Sequence, residues 1–247
     1  MSAPLRLGIA GLGTVGVGVV KIIAEKAALL RQRTGREIVI TAVSARSAQK
    51  DRGIDLAPYA WEADPVALAK RPDVDIFVEL MGGHEGPAKE ATEAALNTGK
   101  DVVTANKALL AHHGQKLAEK AENGGKVLRF EAAVAGGIPV VKALTEGLAG
   151  NDITRILGVM NGSCNYILTR MQTAGLSYAD VFAEAEALGY LEADPELDVG
   201  GIDAGHKLAL LSSIAYGTAV NFEGVELEGI GQISINDIEQ AADMGFR

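Results

Sequence analysis

The sequence predicts an α/β fold, a doubly wound parallel sheet followed by a partial α+β region. Three observations carry this reading. Short apolar runs alternate with helix-length amphipathic stretches over residues 5–132. Gly11-Leu12-Gly13-Thr14-Val15-Gly16 forms a glycine-rich turn between the first run and the first helix. The composition is 48% hydrophobic and 22% charged over 247 residues, with 30 glycines and only 4% aromatics. A chain of this length buries roughly 70% of its unfolded surface, enough for a substantial core.

Leu5 to Ala10 reads as a buried strand, and Thr14 to Arg33 has helical spacing, with Val15, Val19, Ile22 and Ile23 on one face and Gly35 as the stop. Ile38 to Val43 is β-branched and reads as the second strand. Asp64-Pro65 offers an N-cap followed by proline at the first helical position. Strands are predicted at Val74 to Leu80, Asp101 to Thr104 and Val127 to Ala132, with helices at Pro87 to Leu96 and about Ala108 to Glu122 between them. Helices of this length between strands imply parallel crossovers. Beyond Ala135-Gly136-Gly137 the pattern changes. Helices are predicted at Pro139 to Leu148, from near Ser163, at Ser177 to Leu188 and at Ile202 to Tyr216, and strands at Ile153 to Met160 and Ile233 to Ile235. Asn236 is expected to cap a last helix to Met244.

The net charge is −9, from 32 acidic and 23 basic residues, which argues against a general nucleic-acid binder. The single cysteine, Cys164, excludes an intramolecular disulfide and a cysteine-based zinc site within one chain. The four histidines lack metal-ligand spacing. The N-terminus lacks signal-peptide character, and no apolar run is long enough to span a bilayer, so the expected compartment is the cytoplasm with no membrane partner.

The glycine turn has a strand before it and a helix after it, the context a dinucleotide fingerprint requires. Gly11 permits a sharp turn, Gly13 lets a pyrophosphate approach the backbone, and Gly16 lets helix and strand pack closely. The helix start at Thr14 and Val15 then faces the phosphates. This is a Rossmann-type arrangement. An acidic residue after the second strand would bind the ribose 2′-hydroxyl of NAD. Here that position reads Ser44-Ala45-Arg46-Ser47, so Arg46 is placed to pair with a 2′-phosphate, and NADP is favoured with NAD as the alternative. Lys50 and Arg52 are further basic candidates.

Three later segments concentrate specific polar residues: Thr104-Ala105-Asn106-Lys107, Asn161-Gly162-Ser163-Cys164-Asn165-Tyr166, and Gly189 through Asp198 and Asp203 to Lys207. With the glycine turn, the A-N-K-A-L-L-A segment, V-A-G-G-I-P-V, N-G-S-C-N-Y-I-L and D-x-x-G-x-D-x-x-x-K (Asp198 to Lys207), the whole chain resembles homoserine dehydrogenase. The resemblance implies an NAD(P)-linked interconversion of L-homoserine and L-aspartate 4-semialdehyde, a step towards threonine and methionine, in a homodimer formed through the substrate domain. It implies a nucleotide-binding domain over 1–136 and a catalytic, substrate-binding domain over 137–247.

The resemblance makes Lys207 the proton donor and acceptor. A lysine in water has a pKa of about 10.4, burial would lower it, and Asp203 one helical turn away would raise it, so the net direction stays open. Glu192 and Asp203 match the residues that hold the substrate, with Asp198 orienting lysine or substrate. Thr104, Lys107 and Gly189 match positions at the cofactor, Lys107 near its nicotinamide end and the substrate, which counts it with Lys207 and Asp203 as catalytic. Glu131, Val134, Gly136 and Ile138 match a loop that holds a monovalent cation, Na⁺ or K⁺, largely through backbone oxygens; a plain interdomain hinge is the alternative. Cys164 could serve as a thiolate in a different dehydrogenase of a small carbonyl substrate, but a small buried hydrophobe is the commoner state of such a residue. The family's catalytic region continues past this length with further sheet, a closing segment and often a regulatory domain of the ACT type. A nucleotide-binding fragment without turnover is therefore a further alternative.

Overall fold

The computed structural model describes residues 3–191 and 194–246. It divides into two compact units, Met1–Ala149 and Gly150–Arg247.

The first unit is a six-stranded parallel sheet. Its strands are β1 (Leu5–Ala10), β2 (Ile38–Ser44), β3 (Ala60–Glu62), β4 (Ile76–Glu79), β5 (Asp101–Thr104) and β6 (Leu128–Arg129), in the order β3-β2-β1-β4-β5-β6. The doubly wound sheet expected from the sequence is present. Its order reverses at β1 and β4, and ligands of such sheets bind outside the carboxyl ends of the strands at that crevice. The register places Ser44, Ala10, Glu79 and Thr104 side by side at the last rung of four adjacent strands. All four are buried. The helices are α1 (Thr14–Glu25), α2 (Ala27–Thr34), α3 (Pro65–Lys70), α4 (Pro87–Asn97) and α5 (Lys107–Asn123). Asp64 caps α3 by accepting from Val66 N, with Pro65 at the first helical position as expected.

Several expectations change here. The single helix over 14–33 is two, broken at Lys26, and α2 buries nothing. The inward face of α1 is Gly16 and Val20, with Val19 and Ile23 packed against the core, whereas Val15 is 56% and Ile22 55% exposed. The helix starts directly on the turn, and the close seat of Gly16 against Gly11 sets the rotation that turns Val15 outward. The strand expected over 127–132 stops at Arg129, because Glu131–Val134 forms the short helix α6. The helix expected over 139–148 is α7 (Val140–Lys142) running into a π-type turn at Ala143–Gly147. The short strand β3 was not anticipated, since three residues carry too little periodicity.

The second unit is helical: α8 (Gly162–Ala174), α9 (Tyr178–Ala187), α10 (Glu196–Val199), α11 (Ile202–Tyr216) and α12 (Ile235–Asp243). Ile167, Met171, Val181, Ala185 and Val199 form its core. The isoleucine, methionine and valine side chains among them contribute about 1.5–3 kcal/mol each when fully buried. The strands expected at Ile153 to Met160 and Ile233 to Ile235 do not form among the described residues. The former pairs with no other segment there, and Leu157 and Val159 stand 76% and 77% exposed; apolar sequence alone makes no ladder without a neighbour for its N–H and C=O groups. At the latter, Ser234 caps α12 and closes a capping box with Asp237, so a local cap displaces both the strand and the expected Asn236 cap.

Candidate active site

The nucleotide turn follows from β1 directly. Gly11 has φ +101° and its N–H donates to Ser44 O at 2.8 Å. A Cβ on Gly11 would strike the Leu80 carbonyl, and one on Gly16 would strike the Gly11 carbonyl. Gly13 differs: nothing among the described residues lies within 4 Å of where its Cβ would stand. It is also the N-cap of α1 and supplies no side-chain cap, leaving the Thr14 end of the helix open to an acceptor from outside. Arg46 is exposed just beyond β2, and no carboxylate occupies the end of that strand, where Ser44 is buried. Arg52 is committed elsewhere: its guanidinium donates to Leu12 O, Lys50 O and Ser47 O at 3.2, 2.8 and 2.7 Å and lies over Trp61. It ties the Arg46 loop to the glycine turn, which places it in the scaffold of the turn. Lys50 is exposed.

The loops after β4 and β5 meet at Glu79, a residue the sequence reading passed over. Thr104 is buried, and its hydroxyl donates to Glu79 Oε2 at 2.6 Å while accepting from Asn106 N at 2.9 Å. Its side chain is thus spent within the protein. Asn106 caps α5 through Leu109 N, which puts half-buried Lys107 at the first helical position.

In the second unit, Lys207 and Asp203 share a face of α11. Lys207 Nζ donates to Asp203 Oδ2 at 2.6 Å and to Met160 O at 2.7 Å. The lysine side chain is 20% exposed and the aspartate 5%. Buried Asn161 joins this pair to Asp198: its Nδ2 donates to Asp198 Oδ1 at 2.8 Å and to Asp203 Oδ2 at 3.1 Å, while its Oδ1 caps α8 through Cys164 N. Sequence reasoning placed Asn161 in a polar motif before a helix and gave it no role of its own. Its N-cap position was legible, but its contacts 37 and 42 residues away were not.

Gly189 has φ +71° and stops α9, with its N–H donating to Glu186 O; the space at its Cβ is empty among the described residues, so cap and open approach coexist. The next residue, Tyr190, is held by Ser163 Oγ donating to its carbonyl at 2.6 Å and by an edge-on Tyr166 ring. Tyr166 in turn donates to Glu184, which also pairs with Arg170. Glu192, the expected substrate carboxylate, lies outside the described residues. Burial, and after it the Asp198 and Asp203 charges, push the Cys164 thiol up, and its Sγ donates to Asp198 O at 3.2 Å. That environment does not favour a thiolate nucleophile.

At the expected cation loop, Glu131 Oε1 and Oε2 accept from Val141 N and Lys142 N at 2.8 and 3.0 Å, so the carboxylate already caps α7. Val134 is buried, Gly136 and Ile138 are exposed, and Gly137 between them has φ +80°.

Fold and site together define a dinucleotide-binding α/β protein with a lysine–carboxylate cluster in a separate helical unit. The homoserine dehydrogenase NAD-binding domain pattern matches residues 11–131, and the homoserine dehydrogenase pattern matches residues 139–247. The homoserine dehydrogenase of Neisseria gonorrhoeae is 48% identical over 99% of this chain and 56% of its own length, and that of Pseudomonas aeruginosa 44% over the same shares. The crystal structure of the Thiobacillus denitrificans homoserine dehydrogenase superposes with a TM-score of 0.94 at 43% identity, over 99% of this chain and 56% of that one. A hyperthermophilic archaeal homoserine dehydrogenase in complex with NADPH superposes at 0.81 with 29% identity, over 94% of this chain and 75% of that one. The chain belongs to the homoserine dehydrogenase family. It spans about 56% of the length of these curated bacterial relatives.

Proposed function

We propose that the chain carries the NADP-linked oxidation of L-homoserine to L-aspartate 4-semialdehyde and its reversal, with Lys207 as acid and base. The observation that supports this most is the buried Asn161–Asp198–Asp203–Lys207 network. In this reading residues 1–136 bind the nucleotide and 137–247 the substrate. The open Gly13, the exposed Arg46 and the absence of a carboxylate at the end of β2 fit an NADP group, whose nicotinamide supplies the hydride acceptor. Thr14 and Val15 begin the helix that faces its phosphates, Lys107 is assigned to its nicotinamide end, and Gly189 is assigned to the cofactor.

Lys207 has three N–H bonds as an ammonium, of which two are taken by Asp203 and Met160 O. In this reading the third serves the substrate oxygen. In the oxidative direction neutral Lys207 takes the hydroxyl proton as the alcohol carbon loses its hydride; in the reductive direction the ammonium returns that proton to the aldehyde oxygen. Asp203 and Met160 O hold the amine in place, and Asn161 holds Asp203. Glu192 and Asp203 are assigned to the substrate ammonium, with Asp198 in support.

A monovalent cation at Glu131, Val134, Gly136 and Ile138 belongs to the same proposal, in a structural role, since the Glu131 carboxylate already orders this turn. So do homodimerisation and a cytoplasmic location; among the described residues no helix is long and apolar enough to cross a membrane. The test is homoserine-dependent reduction of NADP by the purified chain, with NAD as comparison and NaCl or KCl against choline chloride. Turnover with NADP favoured is expected. Folded protein that binds NADPH without turnover would overturn the assignment of catalysis to this length.

A further inference from the structure

A doubly wound sheet binds a dinucleotide across two mononucleotide halves. The glycine turn after β1 serves one half. The loops after β4 and β5 form the other, and both hang on one side chain. Glu79, the last residue of β4, is 0% exposed, and no lysine, arginine or histidine among the described residues pairs with it. A buried carboxylate is expensive unless its lone pairs are met. Here Oε1 accepts from Met81 N at 2.7 Å and Gly82 N at 3.3 Å, and Oε2 accepts from Thr104 Oγ1. The circuit closes through Asn106, whose N–H donates to Thr104 Oγ1 and whose Nδ2 donates to Gly83 O at 2.6 Å. Inside the circuit, Gly82 and Gly83 both have φ +82°, a pair of conformations L side chains rarely adopt. An apolar residue at 79 would pack the sheet as well and would hold neither loop.

We propose that Glu79 is a positioning residue for the nicotinamide half of the nucleotide site, setting the Met81–Gly83 loop against the Thr104–Lys107 segment. This rests on the reading that the first unit binds a dinucleotide. Two variants test it. Glu79→Gln keeps an acceptor for the loop N–H groups but turns an amide towards the Thr104 hydroxyl, and Thr104→Val removes the same bond from the other side. The probes are NADPH and adenosine 2′,5′-bisphosphate, which carries only the adenosine half. Both variants are expected to weaken NADPH about tenfold, the effect of one charge-assisted hydrogen bond, with the bisphosphate unchanged within about twofold. Thr104→Ser, which restores the hydroxyl, should recover NADPH affinity. Unchanged NADPH binding, or equal loss of both probes, overturns the proposal. A wild-type chain that binds neither probe would sink the dinucleotide reading and this inference with it.

Discussion

The nucleotide turn of the first unit is made of backbone, and the lysine cluster of the second is made of side chains. Gly11, Gly13 and Gly16 act by what they lack, within six residues of chain. Lys207, Asp203, Asp198 and Asn161 act by hydrogen bonds that join α8, α10 and α11 over separations up to 47 residues. A backbone site tolerates almost any side chain nearby but no added Cβ. A side-chain site tolerates small backbone shifts but no lost partner.

The largest expected effects separate the two. Lys207→Ala should lower turnover by about 10³-fold, within the range for loss of a general acid–base group, while NADPH affinity holds within about twofold. Gly16→Ala should do the reverse at the first step: its methyl meets the Gly11 carbonyl, so the turn must open and NADPH binding should fall by about a hundredfold or more. Fluorescence titration with NADPH and stopped assays on the same preparations check both. If Lys207→Ala also loses NADPH, the cluster is not confined to proton transfer and positioning of the substrate.

Asn161→Ala comes next. It removes an N-cap, worth about 1 kcal/mol, and a donor shared by two buried carboxylates, worth about 1.5–3 kcal/mol per bond. At about 2–4 °C per kcal/mol for a chain of this size, a fall in Tm of roughly 8–28 °C is expected, with turnover reduced about 10–100-fold. Asn161→Asp separates the roles: it keeps the cap oxygen but sets a third carboxylate against Asp198 and Asp203, so its turnover should fall further than its Tm. Equal Tm and turnover in Asn161→Ala and wild type would remove Asn161 from the site.

Legibility followed the same division. The glycine turn, the parallel sheet and the Asp64 cap were readable because each is set by residues a few positions apart. The rotation of α1 was not, since it depends on where Gly16 meets Gly11 rather than on the count of apolar residues. Lys207 and Asp203 were named by resemblance; their spacing alone would equally suit a solvated i,i+4 pair. Glu79, and the role of Asn161 within its motif, escaped because a polar residue at a strand end or before a helix has a dull local explanation, a turn or a cap. Their distinguishing feature is a partner far away in sequence, and 25 residues separate Glu79 from Thr104.

Cys164 gives a smaller effect and tests whether the second unit uses any nucleophile besides the lysine. Burial next to two carboxylates raises its thiol pKa, so alkylation by iodoacetamide at pH 7.5 should be slower than for a free cysteine and should climb only at pH above about 8.5. Cys164→Ala should retain turnover within about threefold, the cost of a small packing loss. Rapid alkylation that abolishes activity, together with a dead alanine variant, would shift the chemistry to a thiolate.

The smallest effect is electrostatic and lies at the opposite end of β1 from the glycine turn. Arg6 on β1 grips Asp75 just before β4, with Nη2 to Oδ1 at 2.7 Å and Nε to Oδ2 at 3.0 Å, and the guanidinium holds that carboxyl below the usual carboxylate range. A depressed folded-state value means the pair stabilises fully above the unfolded carboxylate value of about 3.9 and loses that contribution as pH falls through the lower folded value. Both partners are about one-third exposed, so solvent screens the pair and the gain at neutral pH is small. Asp75→Asn should therefore be slightly less stable than wild type at pH 7, and the two should converge below about pH 4. Denaturant midpoints across pH 3–8 check this. A gap that stays constant with pH would assign the loss to packing at the strand end instead of charge.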